Sequence, residues 1–186
     1  LGKYDRALTD YARSIELDPN FEGVYLNRAA TWSALKEYDR ALADYSNVIE
    51  MNPGNSVAYS SRGYQWSDMN QSDKALADYT KAIELNPKDH KSYNNRGLLW
   101  EESDQFEKAL ADYTKAIELN SRDWIPYVNR GGLWVKLDQF DKALADYAQV
   151  IELHPEDSQA YNSLAWNLAT CPDAEFRDPR RAVELA

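Results

Sequence analysis

The sequence predicts an all-α chain of antiparallel helix pairs stacked in one array, and three observations carry that prediction. Ala-Leu-Ala-Asp-Tyr recurs at Ala41–Tyr45, Ala75–Tyr79, Ala109–Tyr113 and Ala143–Tyr147, a constant step of 34 residues, with Ala7-Leu8-Thr9-Asp10-Tyr11 one step earlier. A fixed period of this length marks units that are stable only against their neighbours. Within each period the apolar residues stand three and four apart, the spacing of one helical face. Pro19, Pro53, Pro87 and Pro155 fall at unit ends, where a ring without an N–H donor stops a helix and restricts the residue before it.

Taken in order, residues 1–21 form a partial repeat, 22–55, 56–89, 90–123 and 124–157 are full repeats, and 158–186 form an irregular, truncated last repeat, all within a single array. The chain opens inside what should be the end of a first helix and closes inside a second helix, so both ends read as cut from a longer protein. The first helix of each unit has Tyr25, Tyr59, Tyr93, Tyr127 or Tyr161 at its fourth residue. Its eighth residue is small (Ala29, Gly63, Gly97, Gly131, Ala165), and its eleventh is Trp32, Trp66, Trp100 or Trp134, then Leu168. The second helix carries Tyr38, Ala41, Leu42, Tyr45 and Ile49 in the first full unit, and Phe106, Ala109, Leu110, Tyr113 and Ile117 in the third. Each unit thus reads as two helices that meet where the small residue permits close approach. The last unit departs from the period: Ala182-Val183 stands five residues later than a step of 34 from Ala143 would place it, and Cys171–Pro179 holds the surplus. Asp178-Pro179 has the N-cap and first-turn proline of a helix start.

These residues resemble the tetratricopeptide repeat, by its length, its aromatic–small–aromatic first helix, the alanine of its second helix and its closing proline. Tyr93-Asn94-Asn95-Arg96-Gly97 with Ala109-Leu110-Ala111-Asp112-Tyr113 resembles the "Asn-Arg-Gly … Asp-Tyr" variety common in bacteria. Leu164–Asp173 resembles a recurring last-unit motif of such proteins. The resemblance covers nearly the whole chain and implies a right-handed α-α superhelix whose concave groove binds a protein or peptide.

Bulk properties narrow the function. The formal net charge is −10, from 21 basic and 31 acidic residues. A phosphate backbone requires clustered Lys and Arg, so nucleic acid is not expected as a partner. No run of about 18 apolar residues is present to span a membrane. No signal peptide is visible, although a fragment would not show one, and the cytoplasm is the favoured compartment. Much of the charge belongs to the scaffold, through Asp10, Asp44, Asp78, Asp112 and Asp146 and the glutamates six residues after each. Arg28, Arg62, Arg96 and Arg130 precede the small residue of the first helix. Each is expected to pair with the Asp one helix earlier, Arg62 with Asp44 and Arg96 with Asp78, which would leave Asp146 without a partner beside Leu164.

Positions that repeat unchanged maintain the unit, so positions that vary are the candidates for recognition. The resemblance places residues two, five, six, nine, twelve and thirteen of the first helix along the concave groove. Asn27, Asn95 and Asn129 share the sixth position, with Ser61 and Ser163 in the other units. An amide both donates and accepts, so spaced amides could hold an extended chain by its backbone; bonds within the helix pair are the alternative. Beside them stand Tyr64, Lys91, Asn94, Leu98, Ile125, Val128 and Trp166, apolar toward the C-terminal half. The clamp by which some members hold a chaperone's C-terminal carboxylate is not matched: the fifth residues include no Lys, and the ninth are Ala30, Tyr64, Leu98, Gly132 and Trp166.

Nothing in the sequence points to catalysis. Cys171 is the single cysteine, and the only histidines, His90 and His154, stand near unit boundaries in earlier repeats. A nucleophilic thiol requires an adjacent base, and no HExxH, phosphate loop or GxSxG sequence occurs. No metal or cofactor is expected. The expected function is a non-catalytic scaffold that holds a peptide in the groove. The alternatives are self-assembly through the exposed end helices, and a targeting segment for a catalytic domain elsewhere.

Overall fold

The computed structural model describes residues 2–156, 158–170 and 177–178. Among them are ten α-helices and no strand. Cys171, the Cys171–Asp173 end of the last-unit motif, Pro179, the Ala182-Val183 pair, and the side chains of Gln159 and Ser163 lie outside the described residues.

Two compact units divide the chain, Leu1–Ser92 and Tyr93–Ala186. The first contains α1 (Gly2–Leu17), α2 (Glu22–Ala34), α3 (Tyr38–Met51), α4 (Ser56–Asp68), α5 (Ser72–Leu85) and the opening turn of α6 (His90–Glu102). The second contains the rest of α6, then α7 (Phe106–Leu119), α8 (Ile125–Lys136), α9 (Phe140–Leu153) and α10 (Ser158–Thr170).

In both units the seam between paired helices is set by the small residue. A Cβ built on Gly63 would lie 3.2 Å from the Tyr79 ring, on Gly131 3.1 Å from Tyr147, and on Gly97 only 2.7 Å from Tyr113. Ala29 fills the same place against Ala41 and Tyr45. In the second unit Ala109, Tyr113 and Leu133 form one buried cluster, and Ala143, Tyr147, Leu164, Ala165 and Leu168 another. The second-helix stripe continues three residues past each tyrosine, so that Val48, Ala82, Ala116 and Val150 are fully buried and the isoleucine beyond is not always so. The first helix is buried on more than one side. Its third residue (Val24, Ala58, Ser92, Pro126) and its tenth (Gln65, Leu99, Leu133, Asn167) are buried as well, because this helix has neighbours on two flanks.

The helix ends follow local chemistry. Lys36, Asn70, Asp104 and Asp138 adopt φ of 61°, 56°, 56° and 57° between the paired helices. The next N–H then reaches back to the Trp carbonyl five residues earlier, at 2.9, 2.8, 2.8 and 2.9 Å, closing a Schellman turn without glycine. Second helices end at Asn52, Asn86 and Asn120, whose side-chain oxygens accept from the backbone N–H two residues on, at 3.0, 3.2 and 3.3 Å. This explains why α7 stops in register with α3 and α5 although Ser121 stands where they have proline. The asparagine turns the chain, and the proline only reinforces it.

Candidate functional site

The repeated arginines are structural, but their partners differ from the sequence expectation. Arg28 grips Asp44 with two bonds of 2.7 Å, Arg62 grips Asp78 at 2.7 and 2.8 Å, Arg96 grips Asp112 at 2.8 and 2.8 Å, and Arg130 grips Asp146 at 2.9 and 2.7 Å. Each Arg therefore meets the Asp of the helix that follows it, sixteen residues on, and Asp146 has a partner. The reason lies beside it: Gly63 brings α4 so close to α5 that a Cβ there would stand 3.3 Å from Asp78 Cβ, which puts Arg62 next to that carboxylate. The preceding helix receives the remaining guanidinium nitrogen instead, Arg62 Nη1 donating to Ser46 Oγ at 3.1 Å and Arg130 Nη1 to Thr114 Oγ1 at 3.0 Å. The aspartate side chains are 4–8% exposed and fork to both oxygens. The bond to its Asp raises the guanidinium pKa of Arg28, Arg62 and Arg96, against the opposing cost of burial.

A second repeated contact joins a cation to the Trp of each first helix. Arg40, Lys74, Lys108 and Lys142 lie over the rings of Trp32, Trp66, Trp100 and Trp134 at 4.6, 4.3, 4.3 and 4.4 Å. The signal was present as a basic residue before each Ala-Leu, eight residues after each Trp. Such contacts contribute about 0.5–1 kcal/mol each.

The candidate recognition residues divide by unit. In the first, Asn27, Tyr64 and Lys91 are exposed and Ser61 is half-buried. Close by in sequence, Ser33 Oγ donates to Gln65 Oε1 at 2.6 Å, and Ser60 and Ser92 share a hydroxyl bond of 2.8 Å in which Ser92 accepts, its own proton going to Asp89 Oδ2 at 2.6 Å, so the first helices of successive repeats are tied by hydroxyls.

In the second unit Leu98, Ile125 and Trp166 are exposed, while Asn95, Val128 and Asn129 are half-buried. Asn94 is buried, 6% exposed. Its Oδ1 accepts from Asn129 Nδ2 at 2.8 Å and its Nδ2 donates to Asn95 Oδ1 at 3.3 Å. Asn94 thus fixes the side chains of the two sixth-position asparagines. Val135, further along α8, packs against the Leu164 cluster.

Around Asn129 the helices α6 and α8 form an open pocket of about 420 Å³. Leu98, Glu101 and Glu102 line it from α6, and Val128, Asn129, Gly132 and Lys136 from α8. Gly132 leaves the space open, since a Cβ there would meet only Tyr147 Oη at 3.9 Å. The buried Tyr113 hydroxyl donates to Glu101 Oε2 at 2.8 Å. Burial, then this bond to a carboxylate, pushes the Tyr113 phenol far above its ordinary value. Lys136 Nζ lies 3.5 Å from Asp104 and 4.4 Å over the Phe106 ring. The pocket offers an apolar wall, an oriented amide and two carboxylates. Among the described residues no group of His, Cys, Asp and Glu is placed to hold a metal, and no helix is long and apolar enough to cross a membrane.

Family models described as tetratricopeptide repeat match residues 56–89 and 90–123, and a second such model matches 1–56 and 135–170. A search of curated proteins found no match. Among solved structures, the chain is similar to YrrB, a TPR protein with an unusual peptide-binding site, with 22% identity and a TM-score of 0.76 over 94% of this chain and 91% of that one. It is similar to MamA, with 20% identity and a TM-score of 0.75 over 85% and 92%. A thermophilic TPR protein of Thermus thermophilus shows 23% identity and a TM-score of 0.72 over 90% and 92%. The 34-residue helix pairs, the glycine-gated seams and these matches together establish that the chain belongs to the tetratricopeptide-repeat family and has its solenoid fold.

Proposed function

We propose that this chain is a non-catalytic interaction module that binds an extended segment of a partner protein, with the α6–α8 pocket as a principal contact. The observation that carries this reading is the pocket itself: Gly132 opens it, Leu98 and Val128 supply apolar surface, and Asn94 holds Asn129 at its edge. Asn129 uses one amide hydrogen on Asn94 and retains a second hydrogen and its carbonyl oxygen, the complement of a peptide group. Asn27, Ser61 and Asn95 carry the same position in other repeats, and Tyr64, Lys91, Ile125 and Trp166 supply the side chains that discriminate among ligands. An interaction role is in keeping with YrrB, which is described as having a peptide-binding site.

Screening a displayed random-peptide library against the wild-type chain and Gly132→Leu tests the reading. Peptides enriched on the wild type are expected to lose at least about tenfold in affinity on the variant, whose added side chain occupies the pocket and starts 3.9 Å from Tyr147 Oη. Equal binding to both would place recognition elsewhere. Asn27→Ala, Asn95→Ala and Asn129→Ala in one chain, with folding intact, are expected to weaken all enriched peptides alike. Unchanged affinity would reject the asparagine ladder.

A further inference from the structure

We infer that the segment bound at the α6–α8 pocket presents a cationic side chain, lysine or arginine, next to an apolar one. The inference rests on the peptide-binding reading and specifies what that site selects. Leu98, 38% exposed, and Val128 form the apolar side, and Glu101 with Glu102 the anionic side. Glu101 is held in place: its Oε2 accepts from the hydroxyl of Tyr113, whose residue is 0% exposed, at 2.8 Å. A neutral phenol orients the carboxylate and leaves its charge in place. An acceptor fixed before binding avoids the ordering cost that a free glutamate would incur. The pocket's one lysine has its own acceptor, Lys136 Nζ lying 3.5 Å from Asp104 and 4.4 Å over the Phe106 ring. Among the described residues no lysine or arginine pairs with Glu101 or Glu102. The chain's net charge of −10 acts in the same direction at longer range by speeding the approach of cationic segments.

A displayed library of random nonapeptides separates this from the parent reading. On the wild-type chain the enriched peptides are expected to carry Lys or Arg beside Leu, Ile, Val, Met or Phe. On Glu101→Gln with Glu102→Gln the apolar enrichment should remain while the basic preference disappears. Glu50→Gln with Glu107→Gln, the same change in net charge at exposed positions, should keep that preference. For the consensus peptide, replacing its basic residue by Glu should weaken binding to the wild type at least about tenfold at low salt, with a smaller ratio as salt rises. Apolar enrichment without a basic preference, or a basic preference that survives in the double variant, would overturn the inference and leave the pocket as a peptide site. No enrichment over Gly132→Leu would overturn both.

Discussion

Gly131 and Gly132 are adjacent in α8 and do opposite things. A Cβ on Gly131 would press on the Tyr147 ring at 3.1 Å and on Asp146 Cβ at 3.4 Å, whereas one on Gly132 would meet only a hydroxyl at 3.9 Å. Gly131 faces the seam, where close approach seats the tyrosine and delivers Arg130 to Asp146. Gly132 faces the pocket, where the missing side chain is the space itself. One helix therefore carries a face whose composition is dictated by packing and a face that is free to vary. The two should respond to mutation with different magnitudes and, in one case, with opposite sign.

The largest expected effect is on the seam's ion pairs. Asp78→Ala strips Arg62 of both carboxylate bonds in a place where the guanidinium side chain is 21% exposed. Breaking a buried pair costs about 3–5 kcal/mol; partial access of this Arg to water lowers the expectation to about 2–4 kcal/mol, read by urea unfolding. A double-mutant cycle sharpens the comparison. Arg62→Ala with Asp78→Ala should show strong coupling, and Arg62→Ala with Asp44→Ala only a few tenths of a kcal/mol. Coupling to Asp44 instead would restore the pairing expected from the sequence.

The tightest seam is next. Gly97→Ala would place its Cβ 2.7 Å from Tyr113, a ring that is fully buried and tied to Glu101. Overpacking of this kind costs about 1–3 kcal/mol. Gly131→Ala, starting from 3.1 Å, should cost less, and thermal unfolding of the two variants orders them.

Tyr113 links the seam to the pocket, and pH reports on that link. Burial raises the phenols of Tyr45, Tyr113 and Tyr147 above the ordinary 10.0, and the bond to Glu101 raises Tyr113 further. Above pH 10 the unfolded chain loses phenolic protons that the folded chain keeps, so stability is full below that pH and falls as pH rises. Each such tyrosine contributes a slope of about 1.4 kcal/mol per pH unit. Tyr113→Phe should flatten the alkaline decline by about that amount, cost about 1 kcal/mol at neutral pH through the lost hydrogen bond, and release Glu101. An unchanged alkaline slope would mean that Tyr113 ionises as freely in the fold as outside it.

The seam was legible in the sequence because it repeats. A step of 34 residues with a small residue between two aromatics fixes which residues share a face. It does not say which of two flanking helices that face meets, and the Arg–Asp pairing was misassigned for that reason. Pro marked the helix ends, but Asn120 followed by Ser121 shows that the asparagine turn suffices. The pocket was only half legible. Leu98 and Val128 stand out because they vary within the register, and Asn129 because asparagine recurs at its position, yet nothing in the chain's periodicity reveals that Asn94 is buried and bonded to Asn129. The Tyr113–Glu101 bond is not legible, because the repeat marks Tyr113 as core while its hydroxyl end reaches a position that varies.

Gly132→Ala gives the smallest effect and the clearest contrast. Glycine inside a helix costs about 0.5–1 kcal/mol relative to alanine, through the backbone freedom it loses on folding. Where the added methyl meets no hindrance, that cost is recovered, so Gly132→Ala should raise stability by up to about 1 kcal/mol. The neighbouring Gly131→Ala should lower it. Parallel denaturant titrations of the two alanine variants decide the matter. A loss at Gly132 would show that its face is packed and not open, and the pocket would no longer be a credible binding surface. A gain would show that glycine is retained there at a cost to stability, as expected if the space it leaves is used for a ligand.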